Sequence, residues 1–80
     1  MNSLVAQKVK QIIAQELKVP NERLIPSARF VADLKAGDID CIELVLTIEK
    51  EFKIEIPEAD CENLITVGNL IGYVEKHTKR

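Results

Sequence analysis

The spacing of apolar residues predicts an amphipathic helix near the start of the chain. Its apolar residues recur at the three- and four-residue intervals of one helical face. They are Leu4, Val5, Val9, Ile12, Ile13 and Leu17. Ser3 is a suitable N-cap, because its hydroxyl can accept a hydrogen bond from a free backbone amide, and Pro20 cannot continue a helix. We therefore expect a first helix over residues 4–18.

A long connection separates this helix from the next. Residues 19–37 contain two prolines, and a connection of this length in a small domain needs a reason. The connection also carries apolar residues that we expect to lie across the core, namely Leu24, Ile25, Phe30, Val31 and Leu34. We therefore expect the loop to be held against the helices.

A second helix is predicted over residues 39–52, with either Gly37 or Asp38 as its cap. Its expected buried stripe consists of Ile42, Leu44, Val45, Ile48 and Phe52. The apolar residues Phe52, Ile54 and Ile56 then alternate with charged residues, as in a strand. Because no second strand is available to pair with it, we interpret this stretch as an extended link with alternate side chains turned inward.

The remaining elements are a short helix and a final helix. Pro57 is suited to the first helical position and predicts a third helix over residues 57–63. Thr66 is expected to cap a fourth helix, whose apolar face is Val67, Leu70, Ile71 and Val74. In that helix Gly68 and Gly72 suggest a close approach to another helix. The sum is an all-α domain spanning residues 1–80, a four-helix bundle with a long first loop and a short third helix.

Charge changes the picture of what this bundle could bind. The chain is 46% apolar and 30% charged, with a net charge of −2. Residues 33–62 alone hold ten acidic and three basic side chains, a net charge of −7. Such a segment repels nucleic acid and anionic lipid and attracts basic protein surfaces. No apolar run is long enough for a membrane span.

The residues with reactive side chains do not form a recognisable catalytic or metal site. Cys41 and Cys61 form no CxxC and have no second His or Cys nearby, so a zinc motif is not supported. A disulfide between them is geometrically possible, but we expect two free thiols in a reducing cytoplasm. His77 is expected to be a cation at a helix end. The acids Asp33, Asp38, Asp40 and Glu43 do not follow the EF-hand pattern, although weak divalent-cation binding stays open. Carboxylates near Cys41 should raise the pKa of its thiol and weaken it as a nucleophile.

Residues 30–52, which read FVADLKAGDIDCIELVLTIEKEF, resemble the centre of acyl carrier proteins of the fatty-acid-synthesis type. The region from Ile56-Pro57-Glu58 to Tyr73-Val74 is similar to the end of the same family. The resemblance implies a nonenzymatic carrier of acyl thioesters on a 4′-phosphopantetheine arm. In the family, the arm is attached to the serine of an Asp-Ser-Leu motif, and the matching residues here are Gly37, Asp38 and Ile39.

Asp38 at the serine position implies that this chain is not modified in the usual way, because a carboxylate cannot form the stable phosphodiester that an alcohol forms. We therefore expect this sequence to carry no cofactor. With serine at residue 38, the expected cofactor would be 4′-phosphopantetheine. Three interpretations stay open. The chain is an engineered Ser→Asp form, a natural carrier-like protein without the arm, or a carrier with another attachment residue.

The resemblance also implies two surfaces. The second helix would present a partner-binding surface to basic patches of synthases, acyltransferases and phosphopantetheinyl transferase. Its matching residues are Ile39, Asp40, Ile42, Glu43, Leu46 and Glu49. The acyl chain would lie among residues that any bundle core would also contain. The matching residues are Phe30, Leu34, Val45, Ile48, Ile56, Cys61, Leu64, Leu70 and Val74.

We expect a cytoplasmic monomer that presents acyl chains to fatty-acid or related lipid-synthesis enzymes when an arm is present, and an arm-free form as written. One alternative is a protein-interaction module that carries no acyl group and uses the same acidic helix. A second is a helical domain that responds to calcium or magnesium.

Overall fold

Four α-helices, α1 to α4, account for most of the computed structural model, which describes residues 4–78. Their bounds are Leu4–Leu17, Asp38–Phe52, Glu58–Cys61 and Val67–Thr78. The strongest helix contacts join α1 to α2 and α1 to α4. Within residues 4–78, no helix has the length and apolarity to cross a membrane. The predicted all-α bundle with a short third helix is confirmed.

α1 contributes the centre of the core. Val9 and Ile13 are fully buried, as the apolar spacing predicts, whereas Leu4 at the other end of the same stripe is exposed. The helix ends at Leu17 because Lys18 takes a left-handed backbone conformation, with a φ of 56°, and Pro20 follows. The predicted cap, Ser3, lies outside the described residues.

α2 begins at Asp38, one residue earlier than predicted, and Gly37 is its N-cap with an extended backbone. Leu44 and Ile48 are buried, as expected, but Ile42 is exposed. The prediction for Ile42 was wrong because Ile42 and Leu44 are two residues apart, and two residues along a helix turn the side-chain direction by about 200°. Ile42 therefore points nearly opposite to Leu44, which faces the core.

The long connection is held against the start of α4. The backbone amide of Phe30 donates to the carbonyl of Ile65 (3.0 Å), and that of Val67 donates to the carbonyl of Ala28 (2.9 Å). An isolated β-bridge between Arg29 and Thr66 lies between these bonds. This pairing, like a 3₁₀ turn at Asn21–Arg23, was not predicted.

The apolar residues of this connection are divided between core and surface. Leu24, Phe30 and Leu34 are buried, whereas Ile25 and Val31 are exposed. The expectation that all five lie across the core was therefore wrong for these two. Each follows a buried neighbour directly, at a place where the chain changes direction: Leu24 has a ψ of 54°, and Val31 lies in a turn. Burial of one residue in such a turn therefore does not bury the next.

The extended link and α3 differ little from expectation. Lys53 ends α2 in a left-handed conformation, with a φ of 56°. Beyond it, Ile56 is buried and Ile54 half-buried, so the alternation does place side chains inward. α3 is shorter than predicted, at Glu58–Cys61, and Pro57 lies just before it as the N-cap residue.

α4 begins as the sequence predicts. The hydroxyl of Thr66 accepts a hydrogen bond of 3.0 Å from the amide of Asn69, and Val67, Leu70 and Val74 are buried. The expected helix contact at the two glycines is wrong, because a Cβ on Gly68 would lie 3.0 Å from the carbonyl oxygen of Pro26 in the long connection. A Cβ on Gly72 would meet nothing within 4 Å.

Candidate functional site

The site is built on the junction between the long connection and α2. The amide of Leu34 donates to the carbonyl of Arg29, and that of Ala36 donates to the carbonyl of Phe30. Ala36 is buried, so the chain is fixed immediately before the helix begins. At the junction, the amide of Gly37 donates to Oδ2 of Asp40 over 3.1 Å, which satisfies one backbone donor before the first turn.

Asp38 is the first residue of α2, and its side chain is exposed. Its negative charge lies at the positive end of the helix, where it is favourable. The chemistry of Asp38 does not fit attachment of a phosphopantetheine arm. The transfer needs an alcohol that attacks a phosphorus of coenzyme A and forms a phosphodiester, whereas a carboxylate would form an acyl phosphate that hydrolyses readily.

Two other hydroxyl residues lie outside this motif and do not take the place of its serine. Ser27 is exposed in a turn of the long connection, outside the matching triplet. Thr47 belongs to α2, but its hydroxyl donates to Oε2 of Glu16 over 3.1 Å. Asp38, which the resemblance matches to the attachment serine, therefore carries a carboxylate where an alcohol would be needed.

The predicted partner-binding residues lie along α2 in two different environments. Asp40 and Glu43 are exposed, as are the apolar residues Ile39, Ile42 and Leu46. Glu49 differs, because it is half-buried and its Oε2 accepts a hydrogen bond of 2.7 Å from the amide of Ile56. The Glu49 carboxylate thus holds the extended link, a role that the sequence did not predict.

An open cleft of about 750 Å³ lies between α2, α3 and the two segments that the Arg29–Thr66 bridge joins, which we call the bridged segments. Six of the nine residues predicted to contact an acyl chain line it, namely Phe30, Val45, Ile56, Cys61, Leu64 and Leu70. The other three, Leu34, Ile48 and Val74, are buried in the core and do not line the cleft.

Sequence reasoning missed part of the cleft lining. Val31 and Ile65 lie in the bridged segments, and Cys41 and Leu46 on α2. Charged lining residues include Arg29, Glu58 and Glu62. No local signal in the sequence distinguishes Val31 or Ile65 from core residues, because apolarity alone does not show which side chains stay exposed. The backbone hydrogen bonds on either side of the Arg29–Thr66 bridge bring these segments together.

Both thiols border the cleft and are weakened as nucleophiles. Burial raises the pKa of the Cys41 thiol, and the negative charges of Asp38 and Asp40 raise it further. Burial, followed by the charge of Glu49, raises the pKa of Cys61. Both cysteines are free. The expected weak nucleophilicity of Cys41 is consistent with these directions.

The four acids that were considered as a cation site lie in two different parts of the structure. Oδ2 of Asp33 accepts a hydrogen bond of 2.8 Å from the amide of Arg29, and this bond lowers the pKa of Asp33 below its ordinary value. Asp38, Asp40 and Glu43 belong to α2 instead. Among the described residues, no group of three or more His, Cys, Asp or Glu side chains is arranged to hold a metal ion.

Comparisons with known proteins identify the family of this fold. Residues 7–74 match the profile of the family described as "Phosphopantetheine attachment site". The fold is similar to a solved structure of acyl carrier protein from Enterococcus faecalis, with a TM-score of 0.79 and 33% sequence identity. The similarity covers 91% of this chain and 92% of that one. The chain therefore belongs to the acyl carrier protein family, whose members are carriers and not enzymes.

Proposed function

We propose that this carrier domain works without a phosphopantetheine arm and acts by presenting α2 to basic surfaces of acyl-handling enzymes. The observation that carries the proposal is the exposed carboxylate of Asp38 at the first position of α2. The family uses this position for attachment, and the side chain here lacks the hydroxyl. With serine at residue 38, the same domain would carry acyl thioesters for fatty-acid or related lipid synthesis.

The charges and apolar side chains of α2 support docking to a basic partner. Asp40 and Glu43 are exposed beside the exposed side chains of Ile39 and Leu46. Exposed ion pairs contribute little to affinity individually, but a patch of one sign accelerates association and selects partners of the opposite sign. Synthases, acyltransferases and phosphopantetheinyl transferase are the proposed partner classes, and their basic patches are the proposed contact.

Attachment of the arm is tested by mass spectrometry after incubation with coenzyme A and a phosphopantetheinyl transferase. We expect no gain of mass for the unaltered chain and complete conversion for Asp38→Ser. Asp38→Asn is the matched control, since it removes the charge without adding a hydroxyl and should stay unmodified. A gain of the arm's mass on the unaltered chain would overturn the proposal.

The alternative is an interaction module that never carried an acyl group. It is favoured by the departures in the motif itself, where Gly37 stands in place of an aspartate and Asp38 in place of a serine. Failure of Asp38→Ser to accept the arm, with its fold intact by circular dichroism, would favour this alternative. Conversion of Asp38→Ser would favour an arm-bearing ancestry.

A further inference from the structure

The cleft exposes more apolar surface than a closed core would. Four large apolar side chains on its lining, Val31, Ile42, Leu46 and Ile65, have relative exposures between 53% and 66%. Ile42 and Leu46 come from α2, whereas Val31 and Ile65 come from the segments joined by the Arg29–Thr66 bridge. Monomeric proteins seldom leave large contiguous apolar patches exposed without a binding role.

The charges around the cleft favour a cationic occupant. Glu58 and Glu62 line it and are exposed. Arg29 is the single basic residue of the described lining, and its Nε already lies 3.5 Å from Oδ2 of Asp33. An anionic amphiphile, such as a free fatty acid, would therefore meet two exposed carboxylates and a guanidinium group that is already paired.

We propose that the cleft binds one amphipathic helix of a partner protein, with the apolar side chains of that helix in the cleft and its Lys or Arg residues beside Glu58 and Glu62. The inference rests on the proposed arm-free function, because a domain without the arm has no tethered chain to occupy the cleft. Ile42 and Leu46 are four residues apart on one helix, a spacing that suits contact with a second helix laid along α2.

The binding test uses a fluorescently labelled peptide with leucines along one helical face and lysines elsewhere. A peptide of about 14 residues forms a helix about 21 Å long. We expect saturable binding by fluorescence anisotropy at physiological salt. A peptide of the same pattern with glutamate in place of lysine is the charge control and should not bind. Absence of saturable binding by the lysine peptide would overturn the proposal.

Paired variants separate the cleft from exposed apolar positions elsewhere. Ile65→Asn alters the cleft outside α2, whereas Ile25→Asn alters an equally exposed apolar residue of the long connection that does not line the cleft. We expect Ile65→Asn to weaken peptide binding about tenfold, as for a central apolar contact, and Ile25→Asn to change it by less than about twofold. Equal losses would show that the peptide does not bind in the cleft and would contradict the inference.

A second pair tests the charge. Glu62→Gln removes a carboxylate of the cleft lining, and Glu55→Gln removes an exposed one elsewhere. Only Glu62→Gln should weaken binding beyond the general effect of net charge. Circular dichroism and unfolding midpoints confirm that each variant is folded. Dodecanoate is the lipid competitor. If it displaces the labelled peptide at a concentration below that of the peptide, the cleft binds a lipid and the inference is overturned.

The protein used for these titrations is first treated with coenzyme A and the transferase and then weighed. An unchanged mass with no peptide binding contradicts only the cleft inference. A gain of the arm's mass contradicts the proposed arm-free function, whatever the peptide does. The two proposals therefore fail by separate measurements.

Discussion

The hydroxyl of Tyr73 in α4 donates a hydrogen bond of 2.7 Å to Oδ2 of Asp60 in α3. α3 has only four residues, and a helix this short is not stable without tertiary contacts. Burial, followed by the hydrogen bond to Asp60, raises the pKa of Tyr73 to about 12. The contact therefore holds α3, which lines the cleft, over the neutral range of pH.

Alkaline pH should weaken the fold through Tyr73. The folded state favours the neutral phenol, since its pKa rises from 10.0 to about 12. This stability is fully present below pH 10 and is lost as the pH rises through about 12. Urea unfolding at a series of alkaline pH values, compared with Tyr73→Phe, isolates the effect from lysine titration.

The same tyrosine provides a direct readout, because it is the one Tyr of the chain. Its tyrosinate absorbance should appear at higher pH in the folded protein than in urea. Identical titration curves in the two states would contradict this prediction. At neutral pH, Tyr73→Phe should cost about 1 kcal/mol of unfolding free energy, as for the loss of one hydrogen bond.

Substitution of the two glycines of α4 by alanine should have opposite effects. Gly68→Ala should destabilise the protein by about 1–2 kcal/mol through overpacking. The new Cβ would lie 3.0 Å from the carbonyl oxygen of Pro26, which also accepts a hydrogen bond of 2.9 Å from the amide of Gly68. Thermal or urea unfolding measures the change.

Gly72→Ala is the matched control for that variant. Its Cβ would enter open space, and alanine is favoured over glycine in a helix interior by about 0.5–1 kcal/mol. We therefore expect a small stabilisation. Equal stabilisation by both variants would show that helix propensity, and not the contact with Pro26, governs residue 68, and would contradict the prediction.

Removal of the charge at residue 38 should increase the reactivity of Cys41. Burial is the main cause of its raised pKa and Asp38 the next, so Asp38→Asn should speed alkylation by iodoacetamide at mildly alkaline pH about twofold, as for one charge acting through water. Cys61 is the internal comparison, because Asp38 does not contribute to its shift. Peptide mass mapping follows each thiol separately, and parallel acceleration of both would indicate general loosening instead.

Moderate salt should stabilise the protein. Residues 33–62 carry a net charge of −7, and screening reduces the repulsion among these charges over a Debye length of about 10 Å at 0.1 M salt. The melting temperature should rise with sodium chloride and more steeply with magnesium chloride. Glu43→Gln should reduce the salt dependence, whereas a melting temperature independent of salt would contradict clustered repulsion.

The sequence predicted those features that depend on local periodicity and capping. The buried residues Val9, Ile13, Leu70 and Val74 follow from helical spacing, and the Thr66 cap follows from the preference of its side chain for a helix start. The family resemblance likewise placed Asp38 at the start of α2, although the helix begins at Asp38 itself and not at residue 39.

The features that the sequence did not predict depend on distant segments meeting. Whether Ile25 and Val31 are buried depends on which side of the connection faces the helices, and apolarity alone does not decide this. The hydrogen bond from the amide of Ile56 to Glu49 needs the exact path of the extended link. One side of the cleft likewise depends on the pairing of residues 28–30 with residues 65–67, a contact between segments far apart in the chain.

Three lysines, Lys18, Lys35 and Lys53, have φ angles between 56° and 61°. In that conformation a side chain with a Cβ costs about 1–2 kcal/mol, which glycine does not incur. None of the three lines the cleft. Glycine at these three positions would therefore raise thermostability without changing the cleft.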